Sequence, residues 1–415
     1  MGKISRNIFF ILAAGLLMIS CFSSGMIVGW KALPILQPTP TATSVPIPTF
    51  TNEAQPTPAT DLEQLFVPFW RSWDLVHTYY IEQPVDNRKL MEGAIRGMIE
   101  SLGDQHSSYL DPDQFEQLNV QQSGEYEGIG AWVDITGEYL IIIAPMKNSP
   151  AEKAGLKAED VVIAVDGEDM TGVDGNLVLK RILGPAGTQV TLTIVRKGEP
   201  EPFDVTITRQ KIIVPSVEGE MLDNGIGYVQ IYNFGDKTTN ELRSILRDIM
   251  AEKPKGLIVD LRNNGGGYVN VAVEVISQFI KADQIVLIEQ FGDGREETLT
   301  SIPGGLAQDI PLVVLVNEGT ASASEIMAGV IQDYQRGTIV GVTTYGKGSV
   351  QIIQPLSEED GAVRITIAHW LTPNRRQINK IGIQPDIVVE YTEEDFNAGK
   401  DPQLDKAIEL LSRSN

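Results

Sequence analysis

The chain has 415 residues, 42% of them hydrophobic, more than one typical globular core holds, so two or three domains are expected. Its 55 acidic residues against 33 basic ones leave a formal net charge of −22, the wrong sign for neutralising a nucleic-acid backbone or an anionic membrane surface. The single cysteine, Cys21, has no internal disulfide partner, and His77, His106 and His369 lack ligand spacing, which argues against thiol chemistry, a zinc site or any metal cofactor.

From Ile8 to Trp30 no residue is charged, and at 1.5 Å per residue this run spans about 34 Å, enough to cross a bilayer once. Lys3 and Arg6 precede it, so the positive-inside rule keeps the N-terminus cytoplasmic and sends the rest outward. A cleaved secretory signal, or a lipoprotein signal ending at Leu17-Met18-Ile19-Ser20-Cys21, are the alternatives to an anchor; all three place the remainder outside the cytoplasm. Pro34 to Thr60 is rich in Pro, Thr and Ala and reads as an extended spacer.

Leu65, Phe66, Phe69, Trp70, Trp73 and Val76 recur at helical spacing, and Leu90, Ala94, Met98 and Leu102 repeat it before Gly103, predicting two or three amphipathic helices. After Gly124 the period moves toward two, with strands predicted at Tyr139 to Ala144, Val161 to Val165 and Val190 to Val195 in a β-rich module ending near Arg209. Further on, apolar runs at Gly256 to Leu261, Ile285 to Ile288, Pro311 to Val316 and Thr338 to Val342 alternate with helical stretches, as in a layered α/β domain with a buried sheet. Antiparallel strands are expected at Ser349 to Leu356 and Ala362 to Leu371, and a short helix at Asp401 to Leu411. The expected organisation is a multidomain α/β chain: anchor or signal over 1–32, linker over 33–60, helical domain over 61–120, β-rich domain over 121–209, α/β core over 210–395 and a terminal helix over 396–415.

The densest chemistry lies in Asn317-Glu318-Gly319-Thr320-Ala321-Ser322-Ala323-Ser324-Glu325, small residues between a predicted strand and helix. A serine there has its hydroxyl near the positive end of the helix dipole, and the Ala323 N–H faces where an oxyanion would form. The same residues also spell an S-x-x-E capping box. The candidate base is Lys347, between glycines in Tyr345-Gly346-Lys347-Gly348; a lysine near pKa 10.4 must be desolvated to accept a proton at neutral pH. Gln351 sits two strand periods on, where it would orient the amine without adding charge. A glycine turn, Asp260-Leu261-Arg262-Asn263-Asn264-Gly265-Gly266-Gly267-Tyr268, offers further N–H groups at a helix start.

These motifs, with Gly93-Ala94-Ile95-Arg96-Gly97-Met98, Ser107-Ser108-Tyr109-Leu110 and Trp370-Leu371-Thr372-Pro373, resemble the C-terminal processing peptidases, or tail-specific proteases, over roughly Asp61 to Leu411. The resemblance implies a serine endopeptidase with a layered core of the ClpP/crotonase-like kind, in which Ser322 is the nucleophile, Lys347 the general base and Gln351 the group positioning it. It implies oxyanion N–H groups at Ala323 and Gly266, with Gly265 or Gly267 as substitutes for Gly266, and Ser324 as the alternative nucleophile. Asp333 matches a position important in some relatives, but its plainer role is structural. Gly128-Ile129-Gly130-Ala131, followed by Asn148-Ser149-Pro150-Ala151 and Val165-Asp166-Gly167, resembles a PDZ domain whose loop would hold the free C-terminus of a protein substrate. Glu159-Asp160 stands where relatives have Gly-Asp, and Asn264-Gly265-Gly266 where many have a central proline. A homodimer is implied by the helical ends. The rival reading is a catalytically silent peptide-binding scaffold.

Overall fold

A computed structural model of the chain describes residues 59–357 and 359–413. The run from Ile8 to Trp30 and the Pro/Thr-rich segment up to residue 58 lie outside them, and among the described residues no helix is long and apolar enough to cross a membrane. The chain forms two compact units, one reaching Val85 and one beginning at Asp86.

The first unit is the helix Ala59–Tyr79, on which Phe66, Phe69, Trp70 and Trp73 meet edge to face or tilted, with Phe69 and Trp70 5.1 Å apart at 82°. Leu65, Phe66 and Trp70 stay exposed.

The second unit opens with helix Asn87–Glu100, capped by the Asp86 carboxylate, which accepts from the N–H groups of Arg88 and Lys89. Helix Pro112–Ser123 starts in a capping box of Asp111 and Gln114 and stops at Gly124, which takes the left-handed conformation. The chain then enters a two-stranded antiparallel ribbon, Glu125–Gly128 with Gln210–Ile213. From this ribbon hangs a five-stranded sheet in the order Ala131–Asp134, Leu140–Pro145, Val161–Val165, Gln189–Val195, Phe203–Thr208, with Glu168–Asp169 added beside Val161–Val165 and a helix at Gly175–Ile182. Val190, Leu192 and Ile194 alternate inward and close the module's core with Leu140, Ile142 and Val162.

The central sheet runs Val217–Met221, Gly227–Ile231, Leu257–Asp260, Leu312–Val316, Thr338–Gly341, Ile387–Val388; the first pair is antiparallel and the rest parallel. Every residue of Leu257–Asp260 and Leu312–Val316 is buried because helices cover both faces. Leu257, Val259, Val314 and Val316 pack with helices Thr238–Ala251, Val269–Ile276 and Ala323–Asp333, whereas Ile258, Val313 and Leu315 pack against Ala407 and Leu411 of helix Pro402–Arg413.

The strand expected at Ile285 to Ile288 does not join that sheet. It runs Ile285–Phe291 in a second sheet, antiparallel to Ala362–Leu371 with Glu289 opposite Trp370, and the order there is Ser108–Leu110, Ala362–Leu371, Ile285–Phe291, Glu296–Thr300, with Ser349–Pro355 also pairing to Ala362–Leu371. An apolar run reports burial and not partnership: Val286 and Leu287 are as buried as any central strand, yet they reach the common core from this neighbouring sheet.

Candidate active site

Ser322 caps the helix Ala323–Asp333 with φ 56° and ψ −116°, a conformation that costs a non-glycine residue on the order of 1–3 kcal/mol and must be held by its surroundings. Asn264 supplies much of the hold. Its carbonyl accepts from the Ala321 N–H and from the Ser324 hydroxyl, each at 2.9 Å, while its carboxamide donates to the Ile231 carbonyl at 2.7 Å. Ser324 is therefore fully buried with its hydroxyl committed, unlike the half-buried Ser322. Gly266 lies against the same turn at φ +100°; a β-carbon on it would sit 2.8 Å from both the Ala321 carbonyl oxygen and Ser322 Cβ. In this conformation the Gly266 N–H donates to Asn264 Oδ1 at 2.9 Å.

Glu325 joins this turn to the lysine. Fully buried, it accepts from the Ser322 N–H (2.9 Å), the Gly346 N–H (2.7 Å), the Lys347 N–H (2.8 Å) and the Thr344 hydroxyl (2.6 Å). Two catalytic candidates from separate segments thus share one carboxylate. Burial lowers the Lys347 amine from its ordinary value and the Arg364 charge lowers it further, while Glu325 and Asp104 pull the other way. Gln351 donates through Nε2 to the hydroxyls of Ser349 (2.8 Å) and Thr366 (3.2 Å), which fixes the plane of its amide.

Comparison with known proteins decides what this arrangement belongs to. Residues 225–389 match the model of peptidase family S41, residues 141–196 a PDZ domain and residues 42–114 the N-terminal domain of the activating protease CtpB. A carboxy-terminal-processing protease of Bartonella bacilliformis is 39% identical over 77% of this chain and 73% of its own length, and one of Synechocystis is 36% identical over 82% of each. The chain belongs to the carboxy-terminal processing proteases, serine peptidases of family S41. A putative S41 protease from Bacteroides fragilis shares the fold, with a TM-score of 0.53 at 18% identity over 83% of this chain and 97% of its own.

Two features of the protease were not legible in its sequence. Glu325 was visible only as half of a capping box, because its bonds to Thr344, Gly346 and Lys347 depend on tertiary contact. The second is the turn from Asp104 to Ser107, expected only as part of the N-terminal helical domain. Strand Ser108–Leu110 pairs with Ala362–Leu371, which sets that turn at the lysine. Burial lowers the His106 pKa, and the Lys347, Arg364 and Lys380 charges add to this against Asp104. Burial alone would raise Asp104, but hydrogen bonds from Ser107, Thr366 and the His106 N–H outweigh it and bring the carboxyl to about 2. His369 is an exposed strand residue. Asp333 is paired with Arg376 at 2.5 Å and accepts from the Asn374 N–H at 2.7 Å, anchoring the loop after Ala362–Leu371.

In the PDZ domain, Gly128 to Ala131 link the ribbon to Ala131–Asp134, which is an edge strand. The carbonyls of Ile129 and Gly130 accept from the N–H groups of Ala151 (2.8 Å) and Met146 (3.0 Å), so the loop's carbonyls turn into the domain. Gly130 takes φ +76° with Ser149 Cβ 2.6 Å from where a side chain would begin. Burial raises the Tyr126 phenol, whose hydroxyl donates to Met146 Sδ at 3.8 Å.

Proposed function

We propose that the protease cuts protein substrates outside the cytoplasm by an acyl-enzyme mechanism on Ser322 and Lys347. The neutral Lys347 amine takes the Ser322 proton as Oγ attacks the scissile carbonyl; the resulting lysine cation returns the proton to the leaving amine. Water, deprotonated by the same amine, then releases the acyl group from Ser322. Ala323 donates its N–H to the oxyanion, and Gly266 is the second donor once its N–H leaves Asn264 Oδ1, with exposed Gly265 beside it. Gln351 positions the amine, and Gly128, Ile129, Gly130 and Ala131 hold the substrate's terminal carboxylate while the edge strand pairs with its backbone. The observation that carries this reading is a desolvated Lys347 tied through Glu325 to the strained Ser322 turn. Anchoring by Ile8 to Trp30 and homodimerisation, supported by the exposed Leu65, Phe66 and Trp70, complete the proposal.

The test is hydrolysis of an unfolded protein by the full-length chain and its variants. Ser322→Ala and Lys347→Arg should each lose about a thousandfold or more in kcat while still binding a C-terminal peptide, because a guanidinium stays protonated and cannot act as the base. Activity retained in Lys347→Arg removes lysine from the mechanism; an inactive wild type that still binds peptide would establish the silent scaffold instead.

A further inference from the structure

The second sheet has two chemically different faces beside the site. Tyr109, Val363 and Ile365 turn toward Ile95 and Ile99 and form an apolar cluster. Alternation puts Ser108, Arg364 and Thr366 on the other face, and the strand register sets Ser108 opposite Arg364 and Gln351 opposite Thr366. The polar groups of this face are mostly satisfied: Gln351 is bound to Ser349 and Thr366, and Asp104 to Ser107 and the His106 N–H. Two are not. The Arg364 side chain makes no hydrogen bond or ion pair among the described residues, and its buried Nε and the buried Ser108 Oγ both lack a partner. A cavity of about 410 Å³ opens at Ser108, lined also by Arg96, Glu100, Asp104 and Ser107; Arg364 lies across the ladder from Ser108 and is not part of that lining.

A buried polar donor left unpaired destabilises the fold, and more so when it is charged. What sets Arg364 apart is its buried Nε with no partner, a donor that a ligand from outside the chain could complete. A planar guanidinium matches a carboxylate through two parallel hydrogen bonds, and a neighbouring hydroxyl supplies a third. Lys380 is a further basic group in the same neighbourhood, and of its acids Glu325 and Asp104 are already engaged while Glu100 lines the cavity.

We propose that Arg364 and Ser108 form a carboxylate subsite beside the scissile bond, which reads an acidic side chain or a free terminus of the substrate. It is separate from the PDZ loop and rests on the assignment of Ser322 and Lys347.

The test uses peptides in which a single Asp is walked through the positions around the cleavage point, each against its Asn twin, with a second series in which the peptide ends there as acid or amide. At one position the carboxylate form should be cleaved with kcat/KM about tenfold or more above its neutral twin by the full-length protease. Arg364→Gln should bring the ratio to about one, and Arg364→Lys, which keeps the charge without the fork, should retain part of it. Discrimination in the Asp series assigns a side-chain ligand, and in the acid series a terminus. No discrimination by wild type, or discrimination that survives Arg364→Gln, overturns the subsite. So does a uniform loss on all peptides with the activity limb moved to higher pH, which would reduce Arg364 to an electrostatic neighbour of Lys347. Binding of the same pairs to Ser322→Ala judges the subsite apart from the mechanism: if that variant still cleaves, the mechanism fails, while the affinity ratio still decides the subsite.

Discussion

The Ser322 turn and the Gly128 to Ala131 loop are both short runs of small residues leading out of a strand, and they are finished in opposite ways. Around Ser322 the bonds are made within the chain: Asn264 holds Ala321 and Ser324, and Glu325 holds Ser322, Thr344, Gly346 and Lys347. Around Gly130 only the carbonyls are used up, and the adjoining strand has no neighbour on one side. A strained reacting group needs surroundings that over-determine it, whereas a recognition loop needs bonds that its ligand can complete.

Glu325→Gln tests the first half of that contrast most severely. A carboxamide has one acceptor oxygen for four donors and turns an NH₂ toward backbone N–H groups, so the buried network breaks at a cost of about 3 kcal/mol. Urea unfolding should show that loss together with a collapse of kcat; an unchanged midpoint and rate would mean that the turn holds itself.

Lys347→Met should move stability the other way. The folded state lowers the amine's pKa below its unfolded value of 10.5, so between those two values the unfolded chain carries the extra proton and wild-type stability rises with pH. Below the folded value the charged amine remains half-buried and burdens the fold. The methionine variant should be inactive, more stable at pH 7 by about 1 kcal/mol, and without the pH-dependent gain on this account. Equal pH dependence in both proteins would show that Lys347 is not desolvated.

In the PDZ domain the effects should be smaller. The smallest change is expected for Glu159→Gly. Glu159 adopts φ +67°, a conformation that favours glycine, and relief of that strain, less the entropy glycine adds to the unfolded chain, should raise the thermal midpoint slightly. A lower midpoint would assign the glutamate side chain a stabilising contact.

How much of this was readable from residues alone follows from the range of the interactions. The strand Val161–Val165 and the strand Ala362–Leu371 were found to the residue, since alternation and apolar runs are local. The Ser322 turn was legible because strand, small residues and helix follow one another directly. Glu325's remaining partners lie about twenty residues downstream, a distance over which no period operates. Strand Ser108–Leu110 is three residues long, too short for alternation to register, so the approach of Asp104 and His106 to Lys347 was hidden with it.

The ribbon of Glu125–Gly128 and Gln210–Ile213 has a topological consequence. Gly128 and Gln210 face each other across one rung of a ladder, so the chain leaves for the PDZ domain and returns at nearly the same place. Two ends held about 5 Å apart suit any insert whose own termini are neighbours, from a tight hairpin upward. Exchanging the long excursion for a short turn would lower the entropy of loop closure by only on the order of 2 kcal/mol, because that term grows with the logarithm of length. The recognition module is thereby a cassette: chain evolution or an engineer can swap the reader without redrawing the sheet that carries Ser322.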